Sequence, residues 1–573
     1  VTLPDCVEKI SNGAFQQCTG LTSIVFPDSI KEIGDWSFWG CTNLASINIP
    51  ENDNEIVINQ DAFGRCSSLT SIVLPDNVKD IGFRVFQYCT GLTSAKITNG
   101  ISNITYWVFE GCTNLQHVTI GNNVQMIRED SFKDCGLVDL EIPNSVTLIE
   151  HNAFANCKNL ASLTLPNSVT TIDKTAFAGC KALTSVVIPD SVTELKESAF
   201  AGCGLTNIQI GRGISKLSQG VFDACSQLVS INIPDNITEI EPGAFQSCKK
   251  LQNVSIPNTV TRIGRAAFSE CPELKNINIP NGIREIEALT FNDCQNLRNI
   301  MLPNSINKIC ESAFEHCISL DNITIPESVN EIEEKAFCRC PQLSRFYGKY
   351  ASSDNRFLAV DGKMVAFAPA GLTEYTIPND VTSLGKYNFY GCTNLTKINI
   401  SKSMTEIGER AFYGSGLTSI DIPDNITKIG TAAFSSSGSL TDITIPDSVT
   451  EIGSAAFSFC GLTQITIPDS VVSISHLLFY ECGSLRTVIF GAGVQEFDGL
   501  PFEYCKRLQN IYCKSATPAI LKPGVADDLS YQYAFAGIPA SAKIYVPQAS
   551  LDAYKTADHW VTYAAKLVGY DFE

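Results

Sequence analysis

Residues 183–204 read LTSVVIPDSVTELKESAFAGCG, and this stretch contains the pattern that decides the fold of the chain. Its first half places the apolar residues Leu183, Val186 and Ile188 where a strand would bury one face. Pro189 ends this strand, because proline has no N–H with which to continue a hydrogen-bonded ladder. The first half therefore predicts one short strand with a buried apolar face.

The second half of the stretch predicts a turn and then a return toward the core. Asp190 and Ser191 favour a turn, because their side chains bond to nearby backbone. Val192 and Leu195 predict a second, shorter extended segment with its apolar residues inward. Phe200 follows closely, with a glycine two residues later, so there is room for about one helical turn.

The same pattern, L-x-x-I-x-I-P-x-S-V-T-x-I-x-x-x-A-F-x-x-C, recurs along almost the whole chain. Successive anchor phenylalanines are 22 or 23 residues apart, except for gaps of 25 after Phe38 and 52 after Phe337. The 21 anchors are Phe15, Phe38, Phe63, Phe86, Phe109, Phe132, Phe154, Phe177, Phe200, Phe222, Phe245, Phe268, Phe291, Phe314, Phe337, Phe389, Phe412, Phe434, Phe457, Phe479 and Phe502. Such a unit is too small to be stable alone, so neighbouring units must stack into a solenoid.

The repeat closely resembles that of the BspA-like leucine-rich-repeat proteins, and the resemblance covers nearly the whole chain. It implies a β-rich α/β solenoid, a right-handed curved rod of about 21–23 units, each with two short extended segments and one helical turn. At about 4.8 Å per unit the rod would be on the order of 100 Å long. The family includes surface and secreted proteins of host-associated bacteria, and several members are adhesins.

One interruption divides the repeats into a block at 1–342 and a second block at 372–513. Within the interruption, 343–371, Asp361-Gly362 separates two apolar segments and predicts a β-hairpin, because type I′ turns need positive φ. The hairpin is either a structural cover between the blocks or a protrusion that contacts a ligand.

After Cys513 the repeat decays, and residues 514–573 are expected to form a C-terminal cap. Residues 514–540 are expected to be an irregular connection, and 542–547 a last strand. Ser550 is placed to cap the start of a helix, and Trp560, Tyr563 and Leu567 are spaced as one helical apolar face. A cap protects the unpaired backbone groups at an open solenoid end.

Charge and hydropathy exclude several classes of partner. The formal net charge of −19 disfavours nucleic acid, whose phosphates would be repelled. No apolar run approaches the length of a transmembrane helix. The first residues show neither the basic nor the apolar part of a signal peptide, so we expect a mature or trimmed form. The family resemblance implies a bacterial cell-surface or secreted protein.

The 23 cysteines follow the repeat and do not suggest a chemical site. Nineteen of them lie three residues after an anchor phenylalanine, and the two remaining anchors have Ser415 and Ser437 there. A cysteine that recurs once per unit is typically a small buried residue. Cys310, Cys338 and Cys340 form an irregular cluster, but without the paired spacing of a zinc site.

Catalytic motifs are also missing from the sequence. The five histidines lie in distant units, so no Ser-His-Asp or Cys-His arrangement is expected to form. No calcium loop, phosphate-binding loop or dinucleotide motif is present. We therefore expect no enzyme activity, no metal and no cofactor.

Two surfaces are candidates for binding a protein or glycan macromolecule. The first is the outward face of the main strands, expected to be concave, where small polar side chains recur: Asn253, Ser255, Asn276, Asn278, Asn299, Asn322 and Thr324. The second is aromatic and lies beside the A-F-x-x-C corners of the first units: Trp36, Trp39, Tyr88 and Trp107. A polar strand face suits an extended protein partner, whereas clustered exposed aromatics favour glycans. An adhesin-like scaffold is the first expectation, and a glycan-capture protein the alternative.

Overall fold

The computed structural model describes residues 1–525 and 531–572. They form two compact units, Val1–Ile306 and Asn307–Glu573. Both units consist of stacked turns with two short strands per turn. The boundary between the compact units therefore falls before the predicted interruption at 343–371, which lies wholly within the second unit.

In the first unit, strands recur in two series. The main strands are Ser23–Val25, Ser46–Asn48, Ser71–Leu74, Ser94–Ile97, His117–Ile120, Asp139–Glu141, Ser162–Thr164, Ser185–Val187, Asn207–Gln209, Ser230–Asn232, Asn253–Ser255 and Asn276–Ile277. The second-series strands are Lys9–Ile10, Glu32–Ile33, Ile56–Ile58, Val78–Ile81, Asn103–Ile104, Met126–Ile127, Leu148–Ile149, Thr171–Ile172, Glu194–Leu195, Lys216–Leu217, Glu239–Ile240, Arg262–Ile263 and Glu285–Ile286.

The second unit contains the same two series. Its main strands are Asn322–Ile325, Arg345–Gly348, Glu374–Thr376, Lys397–Asn399, Ser419–Asp421, Asp442–Thr444, Gln464–Ile467, Thr487–Phe490, Asn510–Cys513, Lys543–Pro547 and Leu567–Tyr570. Its second-series strands are Lys308–Ile309, Glu331–Ile332, Ser383–Leu384, Glu406–Ile407, Lys428–Ile429, Glu451–Ile452, Ser473–Ile474, Glu496–Phe497 and Ile520–Leu521.

Strands pair in parallel with equivalent positions of the next turn. Ser185 pairs with Asn207 and Val186 with Ile208, so that like side chains stack on like. Val186 and Ile188 are buried, while Ser185 and Val187, which alternate with them, are exposed. The predicted β-solenoid and the inward-facing residues of the repeat are thus confirmed.

The anchor phenylalanines form a buried column in the interior. From Phe15 to Phe291, successive ring centroids lie 5.1–6.3 Å apart, and the ring planes differ by 25° or less. In the second unit the column runs from Phe389 to Phe502 with the same stacked geometry. The column explains why the anchor is aromatic in every turn: each ring fills the space between two others.

The predicted helical turn at each A-F-x-x-C corner is wrong. The residues two before and two after Phe177, which are Thr175 and Gly179, have φ of 53° and 76°, whereas a right-handed helix needs negative φ throughout. The amide of Phe177 donates to the carbonyl of Ala199 in the next turn (2.9 Å), while the amide of Ala178 donates to Thr175 in its own turn (3.0 Å). Alternate amides therefore connect neighbouring turns, so the corner is a third hydrogen-bonded ladder.

The hairpin predicted at Asp361-Gly362 is present. Phe357–Val360 pairs antiparallel with Lys363–Phe367, and Asp361 and Gly362 have φ of 48° and 77°. Lys363 and Met364 pair in parallel with the second-series strand Ser383–Leu384. The ring centroid of Phe367 lies 4.6 Å from that of Phe389. The hairpin therefore takes the place of a turn within the stack, which favours the structural interpretation over a ligand-contacting protrusion.

The C-terminal region contains more repeat structure than the sequence predicted. Ile520–Leu521 pairs with Glu496–Phe497 as a second-series strand, and Phe535 stacks on Phe502 at 6.0 Å. The segment expected to be irregular at 514–540 thus includes a further turn of the column. Residues 526–530, in the middle of that segment, lie outside the described residues, and Gly524–Val525 pairs with Tyr531–Gln532 on either side of them.

The cap itself follows this last turn and differs from prediction in two ways. The helix is Leu551–Thr556, and the Ser550 side chain accepts no bond from the helix amides; its hydroxyl donates instead to the carbonyl of Ala516 (2.7 Å). Trp560–Lys566 is a 3₁₀ segment, and Leu567–Tyr570, expected to continue a helical face, is a strand paired with Lys543–Pro547. A strand is favoured there because the edge of the main sheet needs a partner for its backbone groups.

Candidate binding surfaces

Of the 19 ladder cysteines, 18 are buried structural thiols, whereas the first, Cys18, is exposed. In the first unit, each Sγ from Cys41 to Cys294 lies 3.0–3.4 Å from the carbonyl oxygen of the anchor phenylalanine one turn earlier. Ser437, which replaces a ladder cysteine, donates in the same way to the carbonyl of Phe412 (3.0 Å). The repeated position therefore selects a small side chain that satisfies one backbone carbonyl.

Burial raises the pKa of these thiols. Desolvation disfavours the thiolate and raises the pKa to about 12 at Cys112, Cys157, Cys271, Cys340, Cys392 and Cys482. The thiolate is the nucleophile and the metal ligand. The ladder is thus unsuited to redox or metal chemistry at neutral pH.

All 23 cysteines are thiols, and only Cys6 and Cys18 are exposed, with Cys338 intermediate. We expect an alkylating reagent at neutral pH to label Cys6 and Cys18 rapidly and Cys338 slowly, and to label the other thiols only after denaturation. Mass spectrometry of alkylated peptides before and after denaturation measures this. Rapid native labelling of any ladder cysteine other than Cys18, disulfides within the ladder or stoichiometric zinc would contradict the assignment.

Within residues 1–525 and 531–572, no group of three or more histidine, cysteine or acidic side chains could hold a metal ion. In the same part of the chain, no helix is long and apolar enough to cross a membrane.

The structure brings most of the predicted strand-face residues together in one groove of the first unit. The groove has a volume of about 920 Å³, and Asn253, Ser255, Asn276, Asn278 and Asn299 line it. All five are exposed. The two remaining residues, Asn322 and Thr324, lie on Asn322–Ile325 in the second unit, where Thr324 is exposed and Asn322 partly so.

The asparagines of the groove have different roles. The side chain of Asn278 bonds to both backbone groups of Ile256, accepting from its amide (2.8 Å) and donating to its carbonyl (2.7 Å). Asn278 therefore replaces a ladder hydrogen bond and is structural. The side-chain amide nitrogen of Asn276 donates to the side-chain oxygen of Asn253 (3.0 Å), and Asn299 is an exposed residue of the same groove. These three side chains present polar groups to the groove.

Met301 is a functional candidate that the sequence interpretation missed. It lines the same groove and is 87% exposed, which is the largest exposure of any large apolar side chain in the described part of the chain. Most turns have a small polar residue at this outward position, so a methionine there is a detectable departure from the repeat. An exposed methionine among amides gives the groove an adaptable apolar contact.

The predicted aromatic residues lie at the corners of the first turns together with two further rings, Phe83 and Tyr106, which sequence reasoning missed, and this set is called the aromatic belt. The belt consists of Trp36, Trp39, Phe83, Tyr88, Tyr106 and Trp107. Phe83 lies 5.4 Å from the ring of Tyr106, and Tyr106 lies 5.6 Å from that of Trp107. Trp36, Phe83 and Tyr88 are 42%, 45% and 40% exposed, so they are not core residues. Phe83 and Tyr106 share the position three before an anchor, a spacing that could have identified them.

Arginines alternate with the rings of the belt. The Arg65 guanidinium lies 5.5 Å from the ring of Trp39 and 5.4 Å from that of Tyr88, and Arg84 lies 4.9 Å from Trp107. Gly111 is required beside Tyr88, because a Cβ there would come within 2.3 Å of the ring and its φ is +71°. The Tyr88 ring thus occupies the space beside Gly111 in the next turn.

Stacked parallel turns, a phenylalanine column and a polar strand face with an open groove define a leucine-rich-repeat solenoid. The chain belongs to the family of the BspA-type leucine-rich-repeat region, whose model matches six times, over residues 1–113, 53–161, 147–274, 222–344, 363–473 and 427–522. The family expected from the sequence is therefore confirmed. A search of curated proteins gave no match.

Several solved structures are similar to this chain. A leucine-rich repeat protein from Bacteroides ovatus is 25% identical, covering 70% of this chain and 88% of that one, with a TM-score of 0.38. A leucine rich cell surface protein from Faecalibacterium prausnitzii is 31% identical, covering 48% and 86%, with a TM-score of 0.35. The pneumococcal vaccine antigen PcpA is 18% identical, covering 71% and 84%, with a TM-score of 0.37.

Proposed function

We propose that the protein is a non-enzymatic, adhesin-like scaffold of a bacterial surface, which binds an extended macromolecule, in the first place a protein, along the strand face of its first unit. The groove from Asn253 to Asn304 is the observation that carries this proposal, because it combines exposed amides with an exposed apolar side chain. Membership of a leucine-rich-repeat family supports a binding role. A right-handed coil and a concave strand face remain predictions of the same proposal.

A partner held by such a face makes many modest contacts, not one deep anchor. Each neutral hydrogen bond contributes about 0.5–1.5 kcal/mol net, and Met301 adds apolar contact. The net charge of −19 continues to favour protein over nucleic acid. Single changes such as Asn276→Ala are expected to alter affinity about tenfold at most.

A block change across the groove tests the proposal. We expect the combined variant Asn253→Glu, Asn276→Glu, Asn299→Glu and Met301→Glu to lose binding to whichever host matrix protein or microbial surface the wild type binds. Binding is lost because the partner would have to bury four carboxylates at the interface, and removing their hydration is unfavourable. Binding is measured on an array of matrix proteins, bacterial cells and glycans, and folding by circular dichroism.

The matched control places acidic residues on the second-series side of the same unit. Thr193→Glu, Thr238→Glu and Thr261→Glu change exposed residues outside the groove and should leave binding intact. If the groove variant binds normally, or if Trp39→Ala alone removes binding, the strand face is not the binding surface. Glycan capture through the aromatic belt then becomes the leading function, since the exposed rings favour it as the second candidate.

A further inference from the structure

Two arginines of the aromatic belt have no acidic partner. Arg65 and Arg84 stack on aromatic rings, and neither forms an ion pair with any residue in the described part of the chain. The neighbouring Arg128 differs, since it lies 2.6 Å from Glu150. The belt therefore presents two guanidinium groups whose hydrogen-bonding edges are not used by the protein.

The second unit contains a comparable cluster in which two of the three stacked cations, Lys335 and Arg410, are paired with carboxylates. Lys335 lies 4.6 Å from the ring of Tyr387 and is paired with Glu311 (3.3 Å). Arg410 lies 5.6 Å from the same ring and is paired with Glu409 (3.3 Å). Cations thus stack on aromatic rings at the corners of both units. Lys335 and Arg410, however, also form an ion pair with a carboxylate of the protein. Arg339 differs, since it lies 5.9 Å from the ring of Tyr390 and forms no ion pair with any residue in the described part of the chain.

The rings beside these arginines supply the other half of a ligand site. Trp36, Phe83 and Tyr88 are 40–45% exposed. Phe83 and Tyr88 flank the same anchor, Phe86, and Trp36 lies two turns earlier, beside Phe38. The face of an aromatic ring is electron-rich and attracts positively polarised C–H groups, which is why large exposed rings bind ring-shaped apolar faces. An arginine stacked on a ring keeps its planar edge free for bidentate bonds to a carboxylate.

We propose that the aromatic belt with Arg65 and Arg84 is a binding site for a carboxylate-bearing oligosaccharide, such as a uronic or sialic acid. The sugar ring would stack on the exposed aromatic faces, and its carboxylate would bond to the guanidinium edges. An acidic peptide matches the arginines but not the exposed rings. A nucleic acid carries too many charges for a chain of net charge −19. This inference deepens the glycan candidate and does not depend on the strand-face groove.

Tryptophan fluorescence gives a local readout of this site. Three of the four tryptophans, Trp36, Trp39 and Trp107, belong to the belt, and the fourth, Trp560, is 1% exposed. We expect titration with trigalacturonate or 3′-sialyllactose to change the fluorescence saturably. The methyl ester of trigalacturonate, and lactose, should bind about tenfold more weakly or not at all, because the charge-assisted bonds are lost.

Two double variants compare the loss of positive charge at the belt with the loss of the same charge elsewhere. Arg65→Met with Arg84→Met keeps the stems and removes both guanidiniums, and should weaken binding of the acidic oligosaccharide about tenfold or more. Arg284→Met with Arg298→Met removes the same charge from exposed positions outside the belt and should not. Gly111→Ala, which displaces the Tyr88 ring, should weaken binding while both arginines remain.

Any of the following results would overturn the inference. Equal binding of the acidic oligosaccharide and its ester would exclude the role of the guanidiniums. Equal binding of hexaglutamate would mean that the site recognises acidic protein, not sugar. Absence of a fluorescence change with both acidic probes would exclude the site. The groove variant described above should bind the acidic probes normally, so failure of one proposal is distinguishable from failure of the other.

Discussion

Raising the pH from about 8.5 to about 9.5 is expected to destabilise the folded protein steeply. The buried ladder thiols stay protonated in the folded state, with pKa values of about 12 at six positions in the two units. In the unfolded chain a thiol has a pKa of about 8.5. Below that pH both states are protonated and pH has no effect through these groups.

Between pH 8.5 and 12 the unfolded chain releases protons that the folded chain keeps. Each such thiol lowers the free energy of unfolding by about 1.4 kcal/mol per pH unit in this window. Six thiols together lower it by about 8 kcal/mol one unit above pH 8.5, comparable with the whole stability of many domains, about 5–15 kcal/mol. Urea unfolding followed by circular dichroism at pH 7, 8.5 and 9.5 measures the effect.

Serine substitution provides the control for this prediction. Ser415 and Ser437 show that the ladder accepts a hydroxyl, and Ser437 keeps the bond to the carbonyl of Phe412. The variant Cys112→Ser, Cys157→Ser and Cys271→Ser removes three titrating groups, so its stability should decline less steeply above pH 8.5. Equal slopes for variant and wild type would show that the thiols do not cause the alkaline transition.

Phe177→Ala is expected to destabilise the first unit by about 3–5 kcal/mol. The Phe177 ring is fully buried and lies 5.2 Å from Phe154 and 5.3 Å from Phe200, so its loss leaves a cavity that rigid neighbours cannot fill. Stability in a repeat protein is approximately a sum over turns and their interfaces. The loss should therefore be concentrated near residues 154–200.

Urea unfolding and amide hydrogen exchange measure the size and place of this loss. Phe83→Ala is the matched control, because the same side chain is removed from a ring that is 45% exposed, and surface changes usually stay within about 0.5 kcal/mol. An equal loss in both variants, or exchange that rises uniformly along the unit, would contradict the column as the source of stability.

The two predicted surfaces show which features of a side chain can be predicted from its position in the repeat and which cannot. The outward direction of Asn253 and Asn276 was predictable, because side chains alternate along a strand. That Asn278 bonds to the backbone of Ile256 was not, since it depends on where the ladder opens locally. Similarly, Trp39 and Tyr88 were predicted as corner residues, but Arg65 between them was not. Its role arises from stacking across turns that lie 23 to 26 residues apart.

By itself, the sequence determined the solenoid, the family, the phenylalanine and cysteine ladders and the Asp361-Gly362 hairpin. Each of these follows from a periodic pattern or from a local preference such as positive φ at a turn. The tertiary structure alone decided the conformation of the A-F-x-x-C corners, the extra turn marked by Phe535 and the strand at Leu567–Tyr570. In each of these elements the backbone amides or rings contact residues of a neighbouring turn, about 22 or more residues away along the chain. The geometry of such a contact cannot be predicted from a local sequence pattern.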